Sequence, residues 1–192
     1  MRADARRNYD RILVAAGAAI AQHGAEASLE EIARHAGVGS ATLHRHFPSR
    51  QALLEAVFRD RVETLCAKAS ELAADLDPGP ALFTWLRAVG THAASNRGLA
   101  ASLMHGAYDG DPTLGATCHT MIVKAGGELL EHARQAHTIR PDVAIIDLLK
   151  LVSAISLATE QELGGAAEAD RLLALAIDGV RPHEVPHAHS EQ

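Results

Sequence analysis

An all-α fold of about nine helices follows from three features of the 192-residue chain. Apolar residues recur at helical offsets, period-two alternation is nowhere sustained, and alanine and leucine dominate while β-branched residues are sparse. Apolar residues make up 47% and charged residues 22%, proportions of a globular core and not of a disordered chain. No run of about 18 apolar residues occurs, so the sequence predicts no membrane span. The segment Met1-Arg2-Ala3-Asp4-Ala5-Arg6-Arg7 lacks the apolar stretch of a signal peptide. Two cysteines, Cys66 and Cys118, are too few for a disulfide framework and too far apart in sequence for a zinc knuckle. The expectation is a reduced, cytoplasmic chain with no cofactor.

The first helix is predicted from about Asn8 to His23, with Ile12, Leu13, Ala16 and Ile20 inward and Gly24 as its stop. The second opens at Ser28, where Ser28-x-x-Glu31 is a capping box that can satisfy two orphan backbone donors. Leu29, Ile32, Ala33 and Ala36 share its inner face, and Gly37 closes it in a left-handed cap. A short third helix spans Ser40 to His46, buries Leu43 and Phe47, and stops at Pro48-Ser49. From Ser49 to about Asp75 there is neither Gly nor Pro. Leu53, Leu54, Val57, Phe58, Val62 and Leu65 form a stripe on this fourth helix, roughly 40 Å long.

Asp77-Pro78-Gly79-Pro80 starts a fifth helix to about Ser95, and Asn96-Arg97-Gly98 is read as a break before a sixth that ends near His105. Asp111-Pro112 begins a seventh helix, to about Ala136, in which Gly126-Gly127 is a soft spot. Pro141-Asp142 opens the eighth, Gly164-Gly165 ends it, and the ninth occupies about Ala167 to Asp178. The tail after Gly179 is rich in histidine and proline.

Chemistry concentrates between Ser28 and Phe47. Two short helices flank Gly37-Val38-Gly39, a three-residue turn in which Val38 can plug the angle and Ala33 allows a close crossing. This is the layout of a helix-turn-helix, whose second helix enters the major groove. Its exposed face offers Ser40, Thr42, His44, Arg45 and His46, all donors and none acidic. Arg45 suits a bidentate contact with a guanine edge. Charge is divided in the same sense: residues 1–60 hold 8 Lys/Arg against 7 Asp/Glu, and residues 61–192 hold 10 against 17. A polyanion is therefore tolerated best at the N-terminal end, where Arg6 and Arg7 are further candidates for phosphates or the minor groove.

The run Ala41-Thr-Leu-His-Arg-His-Phe-Pro-Ser-Arg-Gln-Ala-Leu-Leu54, with Ile32-Ala33-x-x-Ala36-Gly37-Val38 before it, resembles the hallmark of the tetracycline-repressor (TetR/AcrR) family of bacterial regulators. The match covers about residues 8–58. The resemblance implies a three-helix DNA-binding module over residues 1–48 and an effector-binding and dimerisation domain over 49–179; residues 180–192 are read from their composition as a flexible tail. It implies an effector-released repressor that binds a palindromic operator as a homodimer. Position by position, DNA contact falls on Ser40, Ala41, Thr42, His44, Arg45, His46 and Arg50. The family commonly has tyrosine at the position of His44 and lysine at that of Arg50. Histidine keeps a ring and a donor there, but makes the contact proton-dependent.

The eighth helix, Ala144 to Ala158, is apolar around most of its circumference and must be covered on both sides. The resemblance makes it and the ninth helix the dimer interface, through Ile146, Leu149, Val152, Ile155, Leu172 and Leu175. It also implies an effector pocket, for which Trp85, Val89, His92, Met104, His105, Tyr108, Cys118 and Met121 are the candidate lining residues, beside Leu65 and Ile122. Several histidines in an apolar site suit an acidic or hydrogen-bonding ligand.

Two rival readings remain. His183-x3-His187-x-His189 with Glu184 has ligands for zinc or nickel, but a solvated histidine-rich tail accounts for it better. A helical small-molecule or metal-binding protein in which the helix-turn-helix is not the main activity is the alternative function. Enzymatic activity is not expected. Cys118 and His119 point about 100° apart on a helix, and no G-x-S-x-G, Walker or H-E-x-x-H pattern is present.

Overall fold

The computed structural model describes residues 2–105, 113–160, 162 and 164–182, with side chains omitted for 2–3 and 97–105. Among the described residues there are eight α-helices and no strands. They are α1 (Arg2–His23), α2 (Leu29–His35), α3 (Ser40–His46), α4 (Arg50–Asp75), α5 (Pro78–His105), α6 (Leu114–Gln135), α7 (Ile145–Ala158) and α8 (Gly165–Gly179). A 3-10 turn over Gly24–Glu26 follows α1. No described helix is long and apolar enough to cross a membrane.

The count falls short of nine because the fifth and sixth predicted helices are one, α5. Asn96 does not break it, because the side chain is buried and turned back on its own helix. Its Nδ2 donates to the His92 carbonyl at 2.8 Å, so the amide that usually competes with the helix is satisfied within it. Gly126-Gly127 likewise does not interrupt α6. Gly126 is a notch: a Cβ there would lie 2.6 Å from Trp85 Cζ3 and 2.7 Å from Ile145 Cδ1. Asp111-Pro112 and the histidine-rich tail lie outside the described residues.

The chain divides into two compact units, residues 1–67 with 91–122, and residues 68–90 with 123–192. The expected boundary at 48 and 49 falls inside the first unit, because the first half of α4 completes the core of α1–α3. Ile12, Ala16, Ile32, Leu43, Phe47, Leu53 and Val57 form one buried cluster. Burying each of the larger aliphatic side chains contributes about 1.5–3 kcal/mol. Further along the same unit, Val62, Leu114 and Cys118 make a second cluster, with Phe58, Cys66, Met121 and Ile122 against it.

In the second unit, Leu82, Trp85, Leu86 and Val89 of α5 are buried, as are Leu129 and Leu130 of α6, Leu148, Leu149 and Val152 of α7, and Leu173 and Ile177 of α8. Arg87 of α5 reaches Asp170 of α8 through both Nε (2.9 Å to Oδ1) and Nη2. The hydrogen bonds from Arg87 hold the Asp170 carboxyl below its ordinary value, against the opposing effect of burial.

Candidate nucleic-acid interface

The turn between α2 and α3 is built by backbone chemistry. Ser28 Oγ accepts from the Glu31 N–H at 3.3 Å, which caps α2; its own proton goes to Glu30 Oε2. At the other end Gly37 has φ +62°. Its N–H bonds to the Arg34 carbonyl at 3.1 Å, and the Val38 N–H bonds to Ala33 at 3.0 Å. These two bonds define a Schellman cap, which requires the left-handed residue that glycine supplies without strain. Gly39 is different: it is extended (φ −73°, ψ 151°) and starts α3. Half-buried Val38 packs against the core of the module.

That turn fixes how α3 is presented. Leu43 is 1% exposed and anchors the helix. Ser40, Ala41, His44 and Arg45 lie on the exposed face, while Thr42 and His46 are half-buried. The α3 sequence is Ser-Ala-Thr-Leu-His-Arg-His, with no acid in its first turn and three basic residues in its last. The predicted contact residues on α3 thus sit on one seven-residue element. His46 is partly committed to packing: its ring meets Tyr9 edge-on at 6.1 Å, and Tyr9 lies 5.0 Å from Phe47. The sequence reasoning missed Tyr9, which locks α1 onto the end of α3; its place one helical turn before Ile12 and Leu13 was the available signal.

Arg50, at the start of α4, is also tied into the fold. Its Nη1 donates to the carbonyls of Ala25 at 2.9 Å and Ala27 at 2.7 Å, which holds the link between α1 and α2 against α4. Ser49 caps α4 by accepting from the Ala52 N–H. Arg6 and Arg7 pair with Asp10 and Asp4 along exposed α1, and Arg11 Nη2 reaches the Gly37 carbonyl at 3.4 Å.

The other predicted sites are placed as follows. Trp85 and Val89 are core residues of the second unit. His92, Cys118 and Met121 belong to the first, where His92 is half-buried and its ring lies 6.2 Å from that of Phe58. Burial first, and Arg61 second, hold the His92 imidazole below its ordinary value. Burial, then the nearby Cys118 and Glu63, push the Cys66 thiol up. The side chains of Met104 and His105, and all of Tyr108, lie outside the described residues. Of the predicted interface residues, Leu149 and Val152 are buried within their own unit, Ile146, Ile155 and Leu172 are half-buried, and Leu175 is 59% exposed. The sequence reasoning missed Leu151 and Leu157, large apolar side chains of α7 that are exposed by 38% and 63%. Helical wheel position alone could not separate them from Leu149 on a helix apolar all round. Among the described residues no group of three or more His, Cys, Asp or Glu could hold a metal ion.

A capped two-helix turn that presents a basic, acid-free helix defines the class: a helix-turn-helix protein of the kind that regulates transcription. Residues 12–57 match the family described as bacterial regulatory proteins, tetR family. Residues 77–182 match the C-terminal domain of SbtR-like transcriptional regulators. A TetR transcriptional regulator from Streptomyces coelicolor is 37% identical, with 92% of this chain and 99% of that one covered at a TM-score of 0.80. A TetR transcription regulatory protein from Mycobacterium vanbaalenii is 35% identical, with 94% and 99% covered at 0.76. No curated protein sequence matches. The chain belongs to the TetR family of transcriptional regulators.

Proposed function

We propose that the protein is an effector-responsive repressor that binds a palindromic operator as a homodimer. The single observation that carries the reading is α3, an acid-free helix held by the Gly37 cap with Ser40, His44 and Arg45 outward. One such helix offers few base contacts, so specificity requires two half-sites read by a twofold dimer. Ser40, Thr42, His44 and His46 position the duplex, Ala41 permits close approach, and Arg45 reads a guanine edge. Arg50 contributes charge at the start of α4 while it braces the module.

The second protomer covers α7 and α8 through Leu151, Leu157 and Leu175, with Ile146, Ile155 and Leu172 beside them. Large exposed apolar side chains on two helices that pack on each other favour such cover. The working division is a DNA module over 1–48, an effector and dimer domain over 49–179, and a tail over 180–192, with Leu53, Leu54 and Val57 at the start of α4 packed into the core of the module. The effector occupies the region of His92, Cys118 and Met121 and acts through α4, which runs unbroken over Arg50–Asp75. To weaken operator binding 10- to 100-fold, it must favour the DNA-incompetent form by about 1.4–2.7 kcal/mol.

Selection of bound fragments from random duplex DNA by the purified protein tests the reading. The expected product is a palindrome with fixed spacing; enrichment of no sequence would refute it.

A further inference from the structure

Among the described residues of the first unit, a largely buried polar cluster joins three helices. Arg61 of α4 lies between them. Its Nη2 donates to the carbonyl of Gly17 in the middle of α1 at 2.8 Å. Its Nη1 donates to Oδ1 of Asn96 on α5. Asn96, 5% exposed, passes the link on: its Nδ2 donates to the His92 carbonyl at 2.8 Å and lies 3.1 Å from His92 Nδ1.

The choice of groups is informative. Gly17 O already serves its own helix, and the guanidinium uses its second lone pair. A fork with two separate donors can hold two acceptors at a fixed distance, which a single-point donor cannot. Burial lowers the Arg61 pKa, a cost that an apolar residue at this position would not carry. Stability alone would be served as well by a leucine, so the arrangement fits a device that fixes geometry.

We propose that Arg61 is a positioning residue that pins α1, and with it the recognition helix, to α5 at Asn96, and so sets the half-site spacing the dimer accepts. This rests on the operator-binding reading above. With the tether closed, each DNA module sits at one place and a dimer reads one spacing. With it open, the modules sample several positions and only a fraction of molecules fits any one site.

The test uses Arg61→Met with Asn96→Leu in the full chain. Removing both partners together avoids stranding a buried acceptor, so the variant should keep its fold. Duplexes carry the selected palindrome at its own spacing, or lengthened or shortened by one or two base pairs. The wild type should prefer its own spacing by about tenfold or more, and the double variant should bind all spacings within about threefold of one another. Asn96→Asp, whose carboxylate still accepts from Arg61, should retain the preference. Hydrogen exchange of the α1 amides from 12 to 20 should quicken in the double variant and not in Asn96→Asp.

Should the double variant lose its helical circular dichroism, Arg61→Gln carries the same comparison, because its shorter amide cannot span both acceptors. Undiminished spacing preference in the tether-free variant overturns the proposal, as does loss of preference in Asn96→Asp. Failure of the wild type to bind any duplex refutes the operator reading instead, and α1 exchange then decides alone whether the tether exists.

Discussion

Arg45 and Arg50 are both arginines near the recognition helix, yet they should fail differently when replaced. Arg45 is exposed on α3. Arg45→Ala should cost about 1–3 kcal/mol of operator affinity and relax base preference at one position in each half-site. Quantitative gel shift on a set of single-base operator variants measures it. Arg50 donates to Ala25 and Ala27, so Arg50→Ala should lower thermal stability as well as weaken binding to all sequences alike, with a shallower salt dependence. Unchanged melting temperature would show that its bonds to the α1–α2 link contribute nothing. His92 gives a pH prediction. Its folded pKa lies below the ordinary 6.5, so the unfolded chain takes up the proton first. Stability is therefore full above about pH 6.5 and falls as acid carries the pH down through the folded value. His92→Gln should flatten the melting temperature over that window.

At the scale of elements, two helices end in the same way with different residues. α2 closes on Gly37 at φ +62°, and α6 closes on His137 at φ +54°; the Thr138 N–H bonds to Ala133 and the His137 N–H to Arg134, each at 2.9 Å. A residue with a Cβ is strained there by about 1–2 kcal/mol. His137→Gly should therefore raise stability by roughly 0.5–1 kcal/mol once the extra freedom of the unfolded glycine is subtracted, read as a higher melting temperature. Gly126→Val should do the reverse. It drives a side chain into Trp85 and Ile145, with a cost of about 1–3 kcal/mol or more from overpacking.

The same comparison shows what was legible in the sequence. Helix starts at Ser28 and Ser49, the Gly37 stop and the limits of α3 were readable because capping is local chemistry. Asn96 was misread as a break, and Gly126 as a soft spot, because their roles are set by Arg61 and Trp85, far away in sequence. The exposed side of α3 was readable in part from its spacing, since Ser40, His44 and Arg45 are exposed but Thr42 and His46 are half-buried. The inward turn of Leu149 and Val152, the bracing by Arg50 and the Arg61 tether depend on what packs beside them, which periodicity does not encode.

For the whole molecule, the account needs two copies. Leu157→Glu together with Leu175→Glu places charge on the exposed apolar face of α7 and α8. The variant should stay helical, sediment as a monomer, and lose most operator affinity, since each half-site is then bound alone. The central claim is that α3 enters a duplex twice through a twofold assembly. Hydroxyl-radical footprinting of the selected duplex, with the mass of the same complex measured in solution, tests it most directly. The account predicts matched protection in two half-sites whose centres are separated by about 10 base pairs or a multiple of that, with an even number of chains per duplex. A single protected patch under one chain, or no protection at low salt, would contradict it.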